Sequence, residues 1–95
     1  MNAPAASILV VDDEPDLRTL YELTLLREGY RVETAATLLE ARQQLQAKRF
    51  DVVISDMRLP DGFGMELLHD LRFMRGATSI HYLEQKLAEE TKKKT

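Results

Sequence analysis

The sequence predicts an α/β fold: a parallel sheet with helices on both faces. Two observations predict it. Short apolar runs alternate with segments of helical periodicity, in the order β-α-β-α-β-α over residues 8–73. Two of those runs end in acids, at Asp12-Asp13 and at Asp56. In open parallel sheets with right-handed crossovers, ligands bind beyond the carboxyl ends of the strands. Three carboxylates are therefore expected along one edge of one sheet. A chain of 95 residues is one domain at most.

Ile8-Leu9-Val10-Val11 is β-branched and apolar throughout, which suits a strand buried on both faces. Pro15 fits the first turn of a helix. Leu17, Leu20, Tyr21, Thr24 and Leu25 recur at helical spacing, so residues 15–28 read as an amphipathic helix that Gly29 ends. Residues 30–34 alternate as a short strand. Thr37 with Glu40 forms a capping-box pattern opening a helix whose buried side is Leu38, Ala41 and Leu45. Phe50 to Ser55 reads as a further buried strand, and Leu59-Pro60-Asp61-Gly62 as a loop. A third helix follows, with Met65, Leu68 and Leu71 on one side. Past Gly76 the preferred reading is a last helix capped by Thr78 or Ser79, with Ile80, Leu83 and Leu87 as its apolar side; a strand at 79–83 is the weaker alternative. The expected division is thus residues 1–75 as one domain and 76–95 as a helical tail.

Composition narrows the function. The 44% hydrophobic content suits a folded protein. There are no cysteines, so disulfides and cysteine-ligated zinc are excluded. A cytoplasmic location fits that absence. No apolar run approaches the roughly 20 residues of a membrane span, and the first residues lack a secretory pattern. A net charge of −3 argues against direct nucleic-acid binding by this chain. Lys92–Lys94 read as a solvated tail, and Arg42, Lys48 and Arg49 as a solvated basic stretch. His69 and His81 have no spaced partner ligand. Met57, Met65 and Met74 read as core or loop filling.

Three clustered carboxylates remain ionised together only beside a cation. A hard divalent ion with oxygen ligands suits them, and Mg²⁺ is usual where phosphate is handled. An aspartate nucleophile can then form an acyl phosphate. The bland reading is that such acids cap helices or form turns.

The stretches Ile8–Pro15 and Asp51–Gly62 with Gly64, together with Gly29-Tyr30 and Val32, resemble the receiver domain of bacterial two-component response regulators. Asp56-Met57-Arg58-Leu59-Pro60-Asp61-Gly62 is especially similar to receivers of the sigma-54 activator type, the nitrogen- and pilin-regulation class. The resemblance covers residues 7–73. It implies a flavodoxin-like (CheY-like) fold with strand order 2-1-3. It implies Asp56 as phosphoacceptor, Asp13 as a direct Mg²⁺ ligand, Asp12 as a helper through water, and the backbone carbonyl of Arg58 as a third ligand. The implied donor is a histidine kinase, and the implied role is a signalling phosphoacceptor rather than an enzyme.

The departures are as specific. The family's fourth strand ends in a Ser or Thr that contacts the phosphoryl group, and its fifth ends in a Lys; neither finds a counterpart here. With three strands, the third becomes a bare apolar edge, which predicts a homodimer or larger assembly, swapped elements included. The competing function is a non-catalytic dimerisation module that keeps only the acidic pocket. A haloacid-dehalogenase-like phosphatase ranks last, because it expects a second acid two residues after its nucleophile, where Asp56 is followed by Arg58.

Overall fold

The computed structural model describes residues 5–67 and 79–82. Among these, β1 (Ser7–Val11), α1 (Pro15–Arg27), β2 (Arg31–Ala35), α2 (Leu38–Ala47) and β3 (Val52–Ser55) follow the predicted order. Two short strands come next, β4 (Arg58–Leu59) and β5 (Gly62–Phe63), and then β6 (Ser79–Tyr82). The main sheet runs β2-β1-β3-β6, all parallel. The predicted 2-1-3 order is therefore present, with a fourth strand added beside β3.

That fourth strand corrects the sequence reading of residues 79–82 as the start of a helix. Ser-Ile-His-Tyr is too short for periodicity to separate helix from strand. Here the sheet decides: β3 offers an unpaired row of backbone groups, and Ser79–Tyr82 fills it in register, Val52 beside Ser79 and Ser55 beside Tyr82. Strand β3 is consequently flanked on both sides, and the expectation of a dimer through a bare β3 edge loses its premise. Leu68, Leu71, Met74, Leu83, Leu87, His69 and Lys92–Lys94 lie outside the described residues.

Helix α1 starts at Pro15 and stops before Gly29, which takes φ +95, a conformation costly for residues with a Cβ. No α1 residue is buried, and Leu20, assigned by spacing to the inner side, is 56% exposed. Helix α2 obeys its pattern closely. Thr37 is the N-cap, its hydroxyl accepting the Glu40 N–H at 3.1 Å, while the Glu40 carboxylate reaches back to the Ala36 N–H at 3.3 Å. Its buried residues are Leu38, Ala41 and Leu45.

These three join Leu9, Val11, Ala35, Phe50, Val53, Leu59 and Leu67 in one core on the α2 side of the sheet. Ile8 and Val10 alternate to the opposite side and are also buried. The described start of the next helix leaves Met65 exposed and buries Leu67, so Met65 is not on the side that packs inward although spacing put it on the apolar side. Met57, read as core or loop filling, is exposed in the loop after Asp56.

Truncating Leu38 to Ala, fully buried at the first position of α2, is expected to destabilise the fold by about 2–5 kcal/mol. Leu23→Ala, on the exposed side of α1, is expected to change stability by no more than about 0.5 kcal/mol. Urea denaturation of both variants checks the contrast.

Candidate functional site

The ladder register carries the site to one place. Val11 of β1 lies level with Ala35 of β2 and with Ser55 of β3. The next residue on each central strand is an aspartate. The Asp12 N–H donates to the Ala35 carbonyl at 3.0 Å, and the Asp56 N–H donates to the Val11 carbonyl at 2.9 Å. Both backbones are thus still held by the sheet where their side chains leave it. Strand order reverses at β1, so the two acids stand at the topological switch point, where such sheets bind ligands.

The carboxylates of Asp12, Asp13 and Asp56 each offer an oxygen, and these oxygens all lie within 4.8 Å of one another. Asp12 and Asp56 are buried, at 0% and 2% exposure, whereas Asp13 is exposed. The structure therefore brings together the three acids singled out from sequence. Oxygens bound to one octahedral Mg²⁺ stand about 3 Å apart in cis and about 4.2 Å in trans. The three oxygens gather within 4.8 Å, and the donor set holds only hard carboxylate oxygens, so the residues present fit such an ion in kind. Arg58 lies two residues beyond Asp56, at the start of the small β4–β5 hairpin.

Several further residues shape the site. Arg18, in the first turns of α1, donates from Nη1 to the Asp12 carbonyl at 2.8 Å, and the Glu14 N–H donates to Asp12 Oδ1 at 2.9 Å. Gly64 passes so close under Asp56 that a Cβ there would stand 2.0 Å from the Asp56 carbonyl oxygen. Its N–H donates to the Met57 carbonyl at 2.8 Å. Asp61 was legible only as a loop residue. Its carboxylate accepts the N–H groups of Leu38 at 2.8 Å and Leu39 at 3.0 Å, across more than twenty residues of chain. The Leu38 N–H holds the Asp61 carboxyl below its ordinary value; desolvation opposes it less strongly, and the Leu39 N–H, the Asp61 N–H and Arg42 add smaller lowering contributions. Arg42 itself pairs with Glu66 at 3.3 Å, so it is not merely solvated. No local pattern announces Asp61 or Arg18, because their partners are backbone groups positioned by the fold.

Ser79 starts β6 beside Val52, three residues down the ladder from Tyr82 and Ser55. At about 3.3 Å per residue it stands roughly 10 Å from the carboxylate edge. The residue of β6 level with Ser55 is Tyr82, where the family resemblance calls for a Ser or Thr.

A doubly wound parallel sheet with an acid cluster at its switch point defines a receiver-like α/β domain. The chain belongs to the response regulator receiver domain family, whose profile matches residues 8–95. It is 48% identical over 72 residues to response regulator protein PilR of Pseudomonas aeruginosa, an alignment covering 76% of this chain and 16% of PilR. PilR fits the sigma-54 activator type that the Asp56–Gly62 motif implies. The chain thus spans about a sixth of that relative's length. Among solved structures it is similar to response regulator TrrA of Thermotoga maritima in complex with Mg²⁺-BeF (TM-score 0.74, 28% identity, covering 93% of this chain and 97% of that one). A response regulator from Burkholderia pseudomallei with a phosphorylated aspartic acid and a calcium ion matches with TM-score 0.75 and 26% identity, covering 81% of this chain and 45% of that one. Among the described residues no helix is long and apolar enough to cross a membrane.

Gly64→Ala is expected to cost about 1–3 kcal/mol, since the added methyl must push the loop off Asp56; chemical denaturation reads the loss. Asp61→Asn carries a pH signature. A carboxyl whose pKa is depressed on folding adds stability above its unfolded pKa, and that stability fades as pH falls through the depressed value. The melting-temperature gap between wild type and Asp61→Asn should be widest at neutral pH and should narrow in strong acid, below the ordinary carboxylate range. A gap independent of pH would contradict it.

Proposed function

We propose that this receiver domain accepts a phosphoryl group on Asp56 in a Mg²⁺-dependent reaction, with a histidine kinase as donor. The observation that carries the reading is the convergence of Asp12, Asp13 and Asp56 within 4.8 Å at the switch point of the sheet. Asp13 and Asp56, with the backbone carbonyl of Arg58, would hold the ion, and Asp12 would assist through water. Bound there, Mg²⁺ would offset the negative charge of the transferring group.

The chain's own residues do the rest. One Asp56 carboxylate oxygen forms a bond to phosphorus while the phosphorus–nitrogen bond of a phosphohistidine breaks. The electron pair of that bond returns to the imidazole, and Asp56 becomes an acyl phosphate. The ladder bond from the Asp56 N–H to Val11 fixes the nucleophile's backbone, so little reorganisation is needed at the moment of transfer. Arg18 and the Glu14 N–H hold Asp12 in the same way. This makes the domain a phosphorylated signalling element rather than a turnover enzyme, working in the cytoplasm with a kinase as its macromolecular partner.

The position of Ser79, far from the carboxylates, favours a second reading: an assembly module that keeps the acidic pocket without phosphotransfer. Incubation with a small acyl phosphate, followed by intact-mass measurement, separates the two. The expected outcome is one added phosphoryl group that requires Mg²⁺ and is absent in Asp56→Asn. Folded protein that gains no mass with Mg²⁺ present would leave the assembly module in its place.

A further inference from the structure

We infer that Asp61 is a positioning residue for the carboxylate site: it fastens the loop after Asp56 to the first turn of α2, and so couples cation binding at the site to the order of that helix end. The inference rests on the proposed Mg²⁺-binding role of the three carboxylates and goes beyond it to a residue that touches none of them.

The first turn of any helix leaves N–H groups without helical partners. In α2, Thr37 takes the Glu40 N–H, and Asp61 takes two more, at Leu38 and Leu39, with one carboxylate oxygen each. Most of this helix end is therefore closed by a residue from another element. A second brace runs alongside. Glu66 accepts from Arg42 of α2 through Oε1 at 3.3 Å and from the Phe63 N–H through Oε2 at 2.9 Å.

Between these braces and Asp56 the loop has no slack. A Cβ on Gly62 would come within 2.6 Å of Leu38 Cδ1, and one on Gly64 within 2.0 Å of the Asp56 carbonyl oxygen. The Met57 carbonyl is tied to the Gly64 N–H at 2.8 Å. Residues 56–64 thus form a braced strap closed at its base beside Asp56 and Met57 and held to the α2 N-terminus from within by Asp61. A cation drawing the Asp56 carboxylate and the Arg58 carbonyl inward acts on a segment whose far side is anchored by Asp61. Anchoring favours the cation-bound arrangement because less chain must be ordered on binding. By linkage, cation binding must tighten the anchor by the same factor.

The test uses the whole chain. Amide hydrogen exchange at Leu38 and Leu39 is followed with and without Mg²⁺, and Mg²⁺ affinity is measured by calorimetry for wild type, Asp61→Ala and Thr37→Ala. Mg²⁺ is expected to slow exchange at Leu38 and Leu39 in the wild type, and Asp61→Ala is expected to weaken Mg²⁺ binding, both by about 5-fold or more. Thr37→Ala removes a cap from the same helix end but not from the strap. It should lower the melting temperature while leaving Mg²⁺ affinity unchanged, which separates positioning from a purely structural cap. Wild-type affinity in Asp61→Ala, or equal losses in Asp61→Ala and Thr37→Ala, would overturn the inference alone. So would Leu38 and Leu39 exchange that ignores bound Mg²⁺, a measurement needing no variant. A wild-type protein that binds no Mg²⁺ would overturn the inference and the proposed cation site together.

Discussion

Everything in this molecule depends on β1 being paired on both sides. Parallel ladders to β2 and β3 hold residues 8–11 in the centre of the sheet, and the ladders do not stop where the strand does. The N–H groups of Asp12 and Asp56 still donate to neighbouring strands, at 3.0 Å and 2.9 Å. Two buried carboxylates are thereby placed side by side by backbone hydrogen bonds rather than by side-chain packing. Like charges so close repel, and burial withholds the water that would relieve them. The sheet can maintain this arrangement because its apolar strands, with Leu9, Val10, Val11 and Val53 fully enclosed, supply the burial that opposes it.

The two faces of the sheet contribute unequally. The α2 side holds the continuous core, and the site loop is built onto that side through Leu59, Gly62 and Leu67. Helix α1 buries no residue fully, and its visible duty at the site is Arg18, which clasps the Asp12 carbonyl. The site is therefore best supported from β3, its loop and α2. Asp61 and Glu66 convert that neighbourhood into a set of directed hydrogen bonds. The acids of this chain consequently do two kinds of work. Asp12, Asp13 and Asp56 gather at a point where a cation can be shared, whereas Asp61 and Glu66 are consumed by N–H groups and a guanidinium.

Much of this was legible beforehand. Ile8–Val11 and Phe50–Ser55 read as buried strands because β-branched apolar runs have few other uses in a chain of this composition, and the second forms at Val52–Ser55. The Thr37–Glu40 box announced α2 and its three buried residues, since capping and helical spacing are local. The three acids of the site were legible because each directly follows or adjoins a strand end. Less legible was the inner side of α1, where Leu20 fits the spacing yet faces solvent: periodicity reports an apolar stripe, not whether something covers it. Met65, placed by spacing on the apolar side of the third helix, is exposed, and the neighbouring Leu67 is buried instead.

The sequence by itself determined the order of strands and helices as far as Ser55, the core of α2 and the identity of the site acids, because each is written in the pattern of residues a few positions apart. Only the tertiary structure decided three things. It made Ser79–Tyr82 a strand, since four residues have no secondary-structure preference strong enough to outweigh an open row of backbone donors and acceptors on β3. It brought Asp12, Asp13 and Asp56 to a common 4.8 Å cluster, which follows from the ladder register. It also assigned Asp61 to the end of α2, because a backbone N–H carries no side-chain signature and its partner is chosen by which loop the folded sheet sets beside it.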